Sequence, residues 1–205
     1  PEHVEQVQTL LRLCHRMRVP VIARGAGTGL SGGALPLEQG VLLVMARFKR
    51  ILEVNPAGRY ARVQPGVRNL AISQAAAPCG LYYAPDPSSQ IACSIGGNVA
   101  ENAGGVHCLK YGLTVHNLLK VEIVTMDGER LTLGSDALDS PGFDLLALFT
   151  GSEGLLGVVV EVTVKLLPKP QMAKVLMASF DDVEGWPRGG RHHRRRHHPG
   201  RPGDD

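Results

Sequence analysis

A glycine-rich loop that directly follows a short apolar segment is the feature of this sequence that most constrains the fold. Residues 19–23 form an apolar run typical of a strand, and glycine then occupies positions 25, 27, 29, 32 and 33. Without a Cβ atom, glycine adopts positive φ angles and lets a ligand approach the backbone closely. Consecutive N–H groups in such a loop form a concave nest for phosphate. A linker would not need a stiff strand leading into it, so we favour a phosphate-binding loop over a mobile turn.

Two common nucleotide motifs do not fit this loop, which we call the glycine loop (residues 25–33). A P-loop requires Lys and then Ser or Thr after its last glycine, whereas Ala34 and Leu35 follow here. A dinucleotide-binding βαβ unit requires glycine three positions after Gly27, where Leu30 stands, and then a helix. Pro36 and a second strand pattern follow instead. The sequence therefore predicts a nucleotide-binding fold of another kind.

Length and composition indicate one or two globular domains without a membrane span. The chain has 205 residues, and no apolar run approaches the roughly 20 residues that a transmembrane helix needs. The four cysteines show no CxxC pairing and lie in apolar or glycine-rich surroundings. We expect buried free thiols in a reducing cytosol, rather than disulfides or a zinc site, at Cys14, Cys79, Cys93 and Cys108.

The net charge of +3 is misleading, because the C-terminal segment differs in composition from the rest of the chain. From Trp186 onward there are six Arg and two Asp, and without this segment 16 basic residues face 17 acidic ones. We predict a folded domain over residues 1–184 and a disordered tail over 185–205. Because GC-rich DNA read out of frame encodes Arg, Gly, Pro and His, we hypothesise a frameshift, with clipping also at Pro1. A nucleic-acid-binding tail is the alternative, and we do not favour it.

Hydrophobic periodicity and turn residues predict short helices and strands without a regular βαβ alternation, which indicates an α+β fold. An Asp-Gly pair between two β-rich runs predicts a hairpin with a two-residue turn at Asp127-Gly128. Another hairpin is predicted around the turn at residues 55–58. The predicted helices are 3–17, 67–77 and 143–149, with a further helix beginning at 180–184. The predicted strands are 19–23, 41–45, 51–54, 59–63, 118–126, 130–133, 158–166 and 175–180.

A second long loop-like stretch, residues 84–112, combines small residues with uncharged polar ones. Ser88, Ser89 and Ser94 offer hydroxyl groups, and residues 96–98 and 102–105 read Gly-Gly-Asn and Asn-Ala-Gly-Gly. Such a surface suits a large flat ligand that has carbonyl and ring-nitrogen edges and is contacted mainly by backbone. Long loops in compact domains are usually functional, so we favour a binding site over an ordinary surface loop.

Three motifs in this order resemble the FAD-binding domain (PCMH-type) of the vanillyl-alcohol oxidase superfamily: RGAGTGLSGGA, PDPSSQIACSIGGNVAENAGG with VHCLKYG, and TGSEGLLGVVVEVTVKLLP. The resemblance is strongest to the group of glycolate oxidase D-subunits and D-lactate and D-2-hydroxyglutarate dehydrogenases, and it covers residues 1–184. It implies an α+β domain made of two α/β subdomains with FAD between them. The cap domain that follows in that group is missing here.

The resemblance also implies which residues contact FAD. The first motif would wrap the pyrophosphate, the second would line the pyrophosphate, ribityl and flavin portions, and the third would complete the wall near the ribityl chain and adenosine. Because residues 25–31 contain no histidine, FAD binding should be non-covalent. The implied residues are Arg24, Gly25, Ala26, Gly27, Thr28, Gly29, Leu30, Ser31, Pro87, Ser88, Ser94, Gly96, Gly97, Asn98, Glu153, Gly157 and Val158.

No residue is assigned a catalytic role from the sequence. His107 and His116 are imidazoles near the second glycine cluster and could act as general bases, but a structural or merely solvent-facing role is favoured. Lys110 or Tyr111 could contact the cofactor or pack. We predict no metal site, because the metal-binding histidines of the resembled group lie in the missing cap, and the tail histidines lack their acidic and glycine-rich context.

The resemblance implies a flavin-dependent oxidation of a 2-hydroxy acid such as glycolate or D-lactate to the 2-oxo acid. Electrons would pass to a partner, often an iron–sulfur subunit, and the protein would be cytoplasmic or associated with a membrane through its partners. The alternative is a truncated, inactive fragment that binds FAD or only folds. The identity of the 2-hydroxy acid stays open, because the discriminating pocket lies in the missing part.

Overall fold

Short helices and strands follow one another irregularly along the chain. The computed structural model describes residues 1–136, 142–172 and 177. Residues Pro1–Lys169 form one compact unit, which holds every element named below, and Pro170–Asp205 form a second. The helices are α1 (Val4–Met17), α2 (Asn69–Ala76), α3 (Ile95–Glu101), α4 (Cys108–Tyr111) and α5 (Leu145–Phe149). The strands are β1 (Val21–Arg24), β2 (Val41–Val44), β3 (Ile51–Asn55), β4 (Tyr60–Val63), β5 (Leu81–Tyr82), β6 (Leu118–Val124), β7 (Arg130–Gly134), β8 (Val158–Lys165) and β9 (Leu167–Pro168).

A five-stranded antiparallel sheet with the order β3-β4-β8-β6-β7 forms the framework of the unit. Its central strand, β8, is rich in valine, a β-branched residue that packs well on a pleated surface. In the pairing of β6 with β8, Glu122 lies opposite Glu161 and Ile123 lies opposite Val159, so Val160 is an extra residue. This bulge changes the alternation of side chains along β8.

Two hydrophobic cores lie on the two faces of β8. Val158 and Val160 pack with Val7 and Leu11 of α1 in one core. Beyond the bulge, Val162 and Val164 belong to the other core, which contains helices α2 and α3. Helix α1 carries its buried residues at helical spacing, as its predicted amphipathic pattern requires. The sheet therefore joins two packing units, and both valine sets of β8 are buried.

The glycine loop connects two parallel strands. β1 and β2 pair in parallel, with Val21 opposite Val41 and Arg24 opposite Val44. A parallel pair requires a long crossover, which is usually a helix. Here residues 25–40 make the crossover as a series of bends and turns without forming a helix, and the glycine loop directly follows the carboxyl end of β1.

The predicted elements within the described residues are confirmed, with shifts of at most two residues at their ends. The hairpin at Asp127-Gly128 is confirmed, but the predicted length of its turn, two residues, is wrong. Val124 pairs with Arg130, and the Gly128 N–H donates to the Thr125 carbonyl oxygen. The extra residue lets Gly128 adopt φ 79° at the end of a three-residue turn. The strand at 175–180, the helix start at 180–184 and the tail lie outside the described residues, apart from residue 177.

The prediction of four buried thiols is half wrong. Cys14 and Cys93 are buried free thiols, whereas Cys79 and Cys108 are free and exposed. The exposed pair lies in short helical turns at the surface, where a small apolar side chain has no core to enter. Among the described residues, no helix is long and apolar enough to cross a membrane.

Candidate functional site

The glycine loop presents unpaired backbone donors. Within the described part of the chain, no N–H group of residues 25–31 donates a hydrogen bond to another residue. Gly27 adopts φ 70°, and a Cβ added there would lie 2.8 Å from Nη2 of Arg24. The Arg24 guanidinium group therefore lies against the loop backbone. A row of free N–H groups beside a cation is suited to an anionic ligand.

The first turn of helix α3 packs directly against this loop. Ser94, the residue before the helix, is only 4% exposed, and its Oγ has no hydrogen-bond partner. A Cβ added to Gly25 would lie 2.2 Å from this Oγ, so only glycine fits at position 25 with Ser94 in its present rotamer. The Gly97 N–H also has no acceptor among the described residues, and its nitrogen lies 3.6 Å from the same Cβ position. Buried polar groups normally have partners, so the orphaned Ser94 Oγ indicates a ligand, and the half-buried Gly97 N–H lies beside it as a second free donor.

Backbone contacts with residues 65–67 fix the orientation of α3. The Gly96 N–H donates to the Pro65 carbonyl and the Ile95 N–H to the Val67 carbonyl, each at 2.8 Å. A Cβ at Gly96 would lie 2.6 Å from the Pro65 Cβ. Gly96 is therefore required for packing of the helix against its neighbour, apart from any contact with a ligand.

A cleft with a volume of about 330 Å³, which we call the main cleft, lies between the glycine loop and α3. A smaller cavity of about 60 Å³, the inner cavity, reaches from α3 toward the start of β8. Gly25, Gly97 and Glu153 line both, so residues of the three sequence motifs meet at one place. Residues 25–30 and residues 94, 97 and 98 line the same cleft, as a shared binding site requires.

Most of the predicted FAD-contacting residues line one of these two cavities. The main cleft is lined by Gly25, Ala26, Gly27, Thr28, Gly29, Leu30, Pro87, Ser94, Gly97, Asn98 and Glu153. The inner cavity adds Arg24, Gly96, Gly157 and Val158. Two predicted residues line neither: Ser88 is exposed, and Ser31 donates its hydroxyl to Glu101 Oε2 at 2.9 Å. Their contact with FAD stays a prediction, as it does for the other members of the set.

The set of FAD-contacting residues implied by the resemblance leaves out several residues that line the main cleft, among them Gly33, Ala34, Ser89, Cys93, Ala100, Glu101 and Ala103. The most informative is Glu101, which lies next to Gly29, since a Cβ there would be 2.9 Å from Glu101 Oε1. Helical spacing in the sequence could have identified Glu101 as a residue of the cleft. Positions 94, 97, 98 and 101 are spaced by three and four residues, which places them on one face of α3.

Asn98 is held by a buried amide network. Its Nδ2 donates to Asn69 Oδ1 at 2.9 Å, and Asn69 Nδ2 donates to the Pro85 carbonyl at the same distance. The Oδ1 of Asn98 accepts no hydrogen bond from a described residue. The network thus orients a free acceptor on a residue that lines the main cleft.

The histidines and tyrosines of the second motif lie outside the lining of both cavities. His107 is exposed and its Nδ1 lies 2.6 Å from Asp86 Oδ2, while His116 Nδ1 accepts from the Leu113 N–H. A hydrogen bond from Tyr82, together with Lys110, lowers the pKa of Tyr111. Burial and the same hydrogen bond raise the pKa of Tyr82. These contacts support the structural roles favoured for the histidines, and no described group of His, Cys, Asp or Glu could hold a metal ion.

The chemistry of the site suits an elongated, phosphate-bearing ligand. Free N–H groups of the glycine loop, the Gly97 N–H and the buried Ser94 hydroxyl converge as donors. Glu101 and Glu153 line the same cleft and can accept hydrogen bonds from sugar hydroxyls. A dinucleotide combines these two needs, since its diphosphate takes donors and its sugar groups take acceptors.

Comparison with known proteins identifies such a ligand. Residues 1–134 match the family described as FAD binding domain. The glycolate oxidase subunit GlcD of Escherichia coli (strain K12) is 82% identical over 184 residues, which are 90% of this chain and 37% of that protein. A D-lactate dehydrogenase of Anaerostipes hadrus is 36% identical over 181 residues, 88% of this chain and 38% of that protein. The chain therefore spans less than two fifths of the length of these relatives.

A solved structure shows the same architecture. An alkyldihydroxyacetonephosphate synthase superimposes with a TM-score of 0.74 and 27% identity, covering 84% of this chain and 31% of that one. The resemblance that the three motifs predicted, and the α+β FAD-binding fold that it implied, are both confirmed.

Proposed function

The chain belongs to the family of FAD binding domains, and we propose that it is the FAD-binding part of a flavin-dependent oxidoreductase that converts a 2-hydroxy acid to the 2-oxo acid. Glycolate and D-lactate are the proposed substrates, because relatives bear the names glycolate oxidase subunit and D-lactate dehydrogenase. Non-covalent binding of FAD is part of the proposal, since residues 25–31 contain no histidine.

One observation carries the proposal: the orphaned Ser94 Oγ lies where only glycine fits at position 25. A buried hydroxyl without a partner costs free energy unless a ligand satisfies it. The residues that create this arrangement come from the first and second motifs, which the resemblance assigned to the FAD pyrophosphate.

The described residues would divide the binding of FAD according to their chemistry. The N–H groups of residues 25–31 and of Gly97, with the Ser94 hydroxyl, would donate to the diphosphate. The carboxylates of Glu101 and Glu153 would accept from ribose or ribityl hydroxyls. Asn98, fixed by Asn69, would offer its Oδ1 to a ring N–H.

Bound FAD would supply the redox chemistry by accepting the two electrons that leave C2 of the substrate together with its hydrogen. The hydroxyl proton leaves as well, so that the C–O single bond becomes the C=O bond of the 2-oxo acid. The carboxylates in the described lining of the main cleft are those of Glu101 and Glu153, which the proposal directs to sugar hydroxyls. The base, the residues that bind the substrate carboxylate and the iron–sulfur electron acceptor would then belong to the rest of the full-length protein or to its partners.

FAD binding without turnover is the second candidate. It is favoured by the exposure of His107 and His116, neither of which lines the main cleft or the inner cavity. A cytoplasmic location, or association with a membrane through partner subunits, completes the proposal, and the free cysteines are consistent with a reducing compartment.

Two measurements separate these candidates. FAD is added to the purified chain and the thermal unfolding midpoint is recorded; the complex is then mixed anaerobically with glycolate or D-lactate and the flavin absorbance is followed. Stabilisation with bleaching supports the oxidoreductase, and stabilisation without bleaching supports binding alone. If FAD neither raises the midpoint nor acquires a bound spectrum, the proposal is wrong.

A matched pair of glycine variants localises the binding. Gly27 and Gly80 adopt nearly equal φ angles, 70° and 69°, so an alanine at either position carries a similar backbone strain. Only Gly27 lies in the glycine loop, whereas nothing lies within 4 Å of a Cβ at Gly80. Gly27→Ala should weaken FAD binding strongly, and Gly80→Ala should leave it unchanged despite a comparable loss of stability.

A further inference from the structure

A third cleft lies behind the wall formed by Gly25, Ala26 and Ser94. It has a volume of about 600 Å³ and differs from the main cleft in its charge, because Lys49 and Arg68 line it. We call it the cationic cleft. No carboxylate is among the described residues that line it, whereas Glu101 and Glu153 line the main cleft. The remaining lining residues are Ala46, Ile51, Gly66, Val67, Ala71 and Ala92.

Lys49 and Arg68 are both exposed residues whose charged groups are available to a ligand. The side chains of Lys49 and Arg68 form no hydrogen bond or ion pair with any described residue. The neighbouring Arg47, by contrast, points its guanidinium group to Glu2. Two like charges that line the same cleft without a counter-charge repel each other, so an anion between them would be stabilising.

The backbone fixes both cations beside the orphaned hydroxyl. Arg68 forms an isolated antiparallel bridge with Ser94, and the next residue, Asn69, donates its N–H to the Cys93 carbonyl. Lys49 follows Phe48, which is 1% exposed and anchors this segment in a core. The backbone positions of Lys49 and Arg68 are therefore held, whereas their charged groups are free to contact a ligand. Fixed backbone positions of this kind partly preorganise a site for an anion.

We propose that the cationic cleft binds a phosphate or diphosphate group, held by Lys49 and Arg68 and reached by the Ser94 hydroxyl through the shared wall. The planar guanidinium group of Arg68 suits two oxygens of one phosphate, and the Lys49 ammonium adds a point charge. Small residues elsewhere in the lining leave room for an attached organic group. The proposal does not depend on oxidation of a 2-hydroxy acid.

The phosphate could come from two sources. The diphosphate of FAD could lie at the shared wall, with the carboxylates of the main cleft directed to its sugar groups. A separate phosphate-bearing small molecule could instead occupy the cationic cleft while FAD fills the main cleft. The chemistry at Lys49 and Arg68 is the same in both cases, and competition distinguishes them.

Isothermal titration of the full chain provides the test. Sodium pyrophosphate is titrated at low salt into FAD-free and FAD-loaded protein, and FAD is titrated into FAD-free protein. Both titrations are made with wild type, Lys49→Gln, Arg68→Gln, the double variant and the control. Each single substitution should weaken the relevant binding about fivefold, and the double variant should weaken it by more than about tenfold. Arg47→Gln is the matched control, since it removes a nearby cation that is already paired.

The outcomes are distinct. If FAD binding weakens in the variants and pyrophosphate competes with FAD, the site takes the FAD diphosphate. If pyrophosphate binds the loaded wild type, is lost in the double variant and leaves FAD affinity unchanged, the site takes a separate phosphate. The proposal is overturned if the double variant binds pyrophosphate and FAD as tightly as Arg47→Gln does. It is also overturned if wild type binds no pyrophosphate and the double variant keeps the FAD affinity of wild type. A Lys49→Arg/Arg68→Lys variant, which keeps both charges, should retain most binding and excludes misfolding as the cause.

Discussion

Replacing Gly25 with alanine separates folding of the site from its binding of FAD. The added Cβ would lie 2.2 Å from Ser94 Oγ, which is 0.8 Å inside the 3.0 Å limit that Cβ contacts essentially never cross. Either the hydroxyl rotates away or the loop moves, and overpacking of this kind costs about 1–3 kcal/mol of unfolding free energy. The variant should therefore fold with reduced stability.

Ser94→Ala provides the second half of a double-mutant cycle. Without FAD, this substitution removes a buried hydroxyl that has no partner, so it should be neutral or stabilise the apo protein by up to about 1 kcal/mol. It also removes the atom that the new Cβ would meet. In the double variant, the cost of Gly25→Ala should fall by about 1 kcal/mol or more, which is a measurable coupling energy.

FAD affinity should respond differently from stability. Ser94→Ala loses a hydrogen bond to a charged phosphate, worth about 1.5–3 kcal/mol, so the FAD dissociation constant should rise about 10- to 100-fold. The double variant recovers stability and does not recover affinity. Urea unfolding of the apo proteins and fluorescence titration with FAD measure the two quantities. Additive stabilities, or full FAD affinity in Ser94→Ala, would refute the assignment of this hydroxyl.

Two further predictions concern titrating groups. The hydrogen bond from Tyr82 is the largest cause of the lowered pKa of Tyr111, so Tyr82→Phe should raise the pKa of Tyr111. The ultraviolet absorbance of the phenolate follows this titration, and an unchanged titration curve would contradict the contact. Burial and the opposing Glu122 raise the pKa of Glu161, so its charged form disfavours the fold above that pKa. Glu161→Gln should therefore stabilise the protein at neutral pH, and the gain should shrink as the pH falls through the raised pKa; a gain that is larger in acid would contradict it.

The elements were predictable because their signals are local. Helix α1 follows from its apolar spacing, and the β3–β4 hairpin follows from its turn, where the Gly58 N–H donates to Asn55 Oδ1 at 2.8 Å. The bulge at Val160 was not predictable, since both registers of a valine-rich strand bury the same residue types. The buried or exposed state of Cys79 and Cys108 likewise depends on which surfaces the tertiary fold covers.

Site residues were predictable as a set, whereas their separate roles were not. Gly25, Gly27 and Gly96 are indistinguishable in the sequence, yet one makes room for a hydroxyl, one adopts a positive φ and one packs against Pro65. Each role depends on what lies opposite the missing Cβ atom, which only long-range contacts reveal. Glu101 was missed for another reason: no helix was predicted over residues 95–101, so its place on the same face as Ser94 and Gly97 was not recognised.

The positions of the cations around the wall formed by Gly25, Ala26 and Ser94 could not be predicted from the three motifs either. A motif built from glycine and serine can bind a diphosphate through neutral donors, so the sequence of the loop says nothing about where the compensating cations lie. Lys49 and Arg68 belong to segments outside the three motifs, yet the fold brings both to the reverse side of the Gly25–Ala26–Ser94 wall. Both cations are exposed and lie in a cleft with no carboxylate in its described lining, so an anion at the wall could contact them and the Ser94 hydroxyl together.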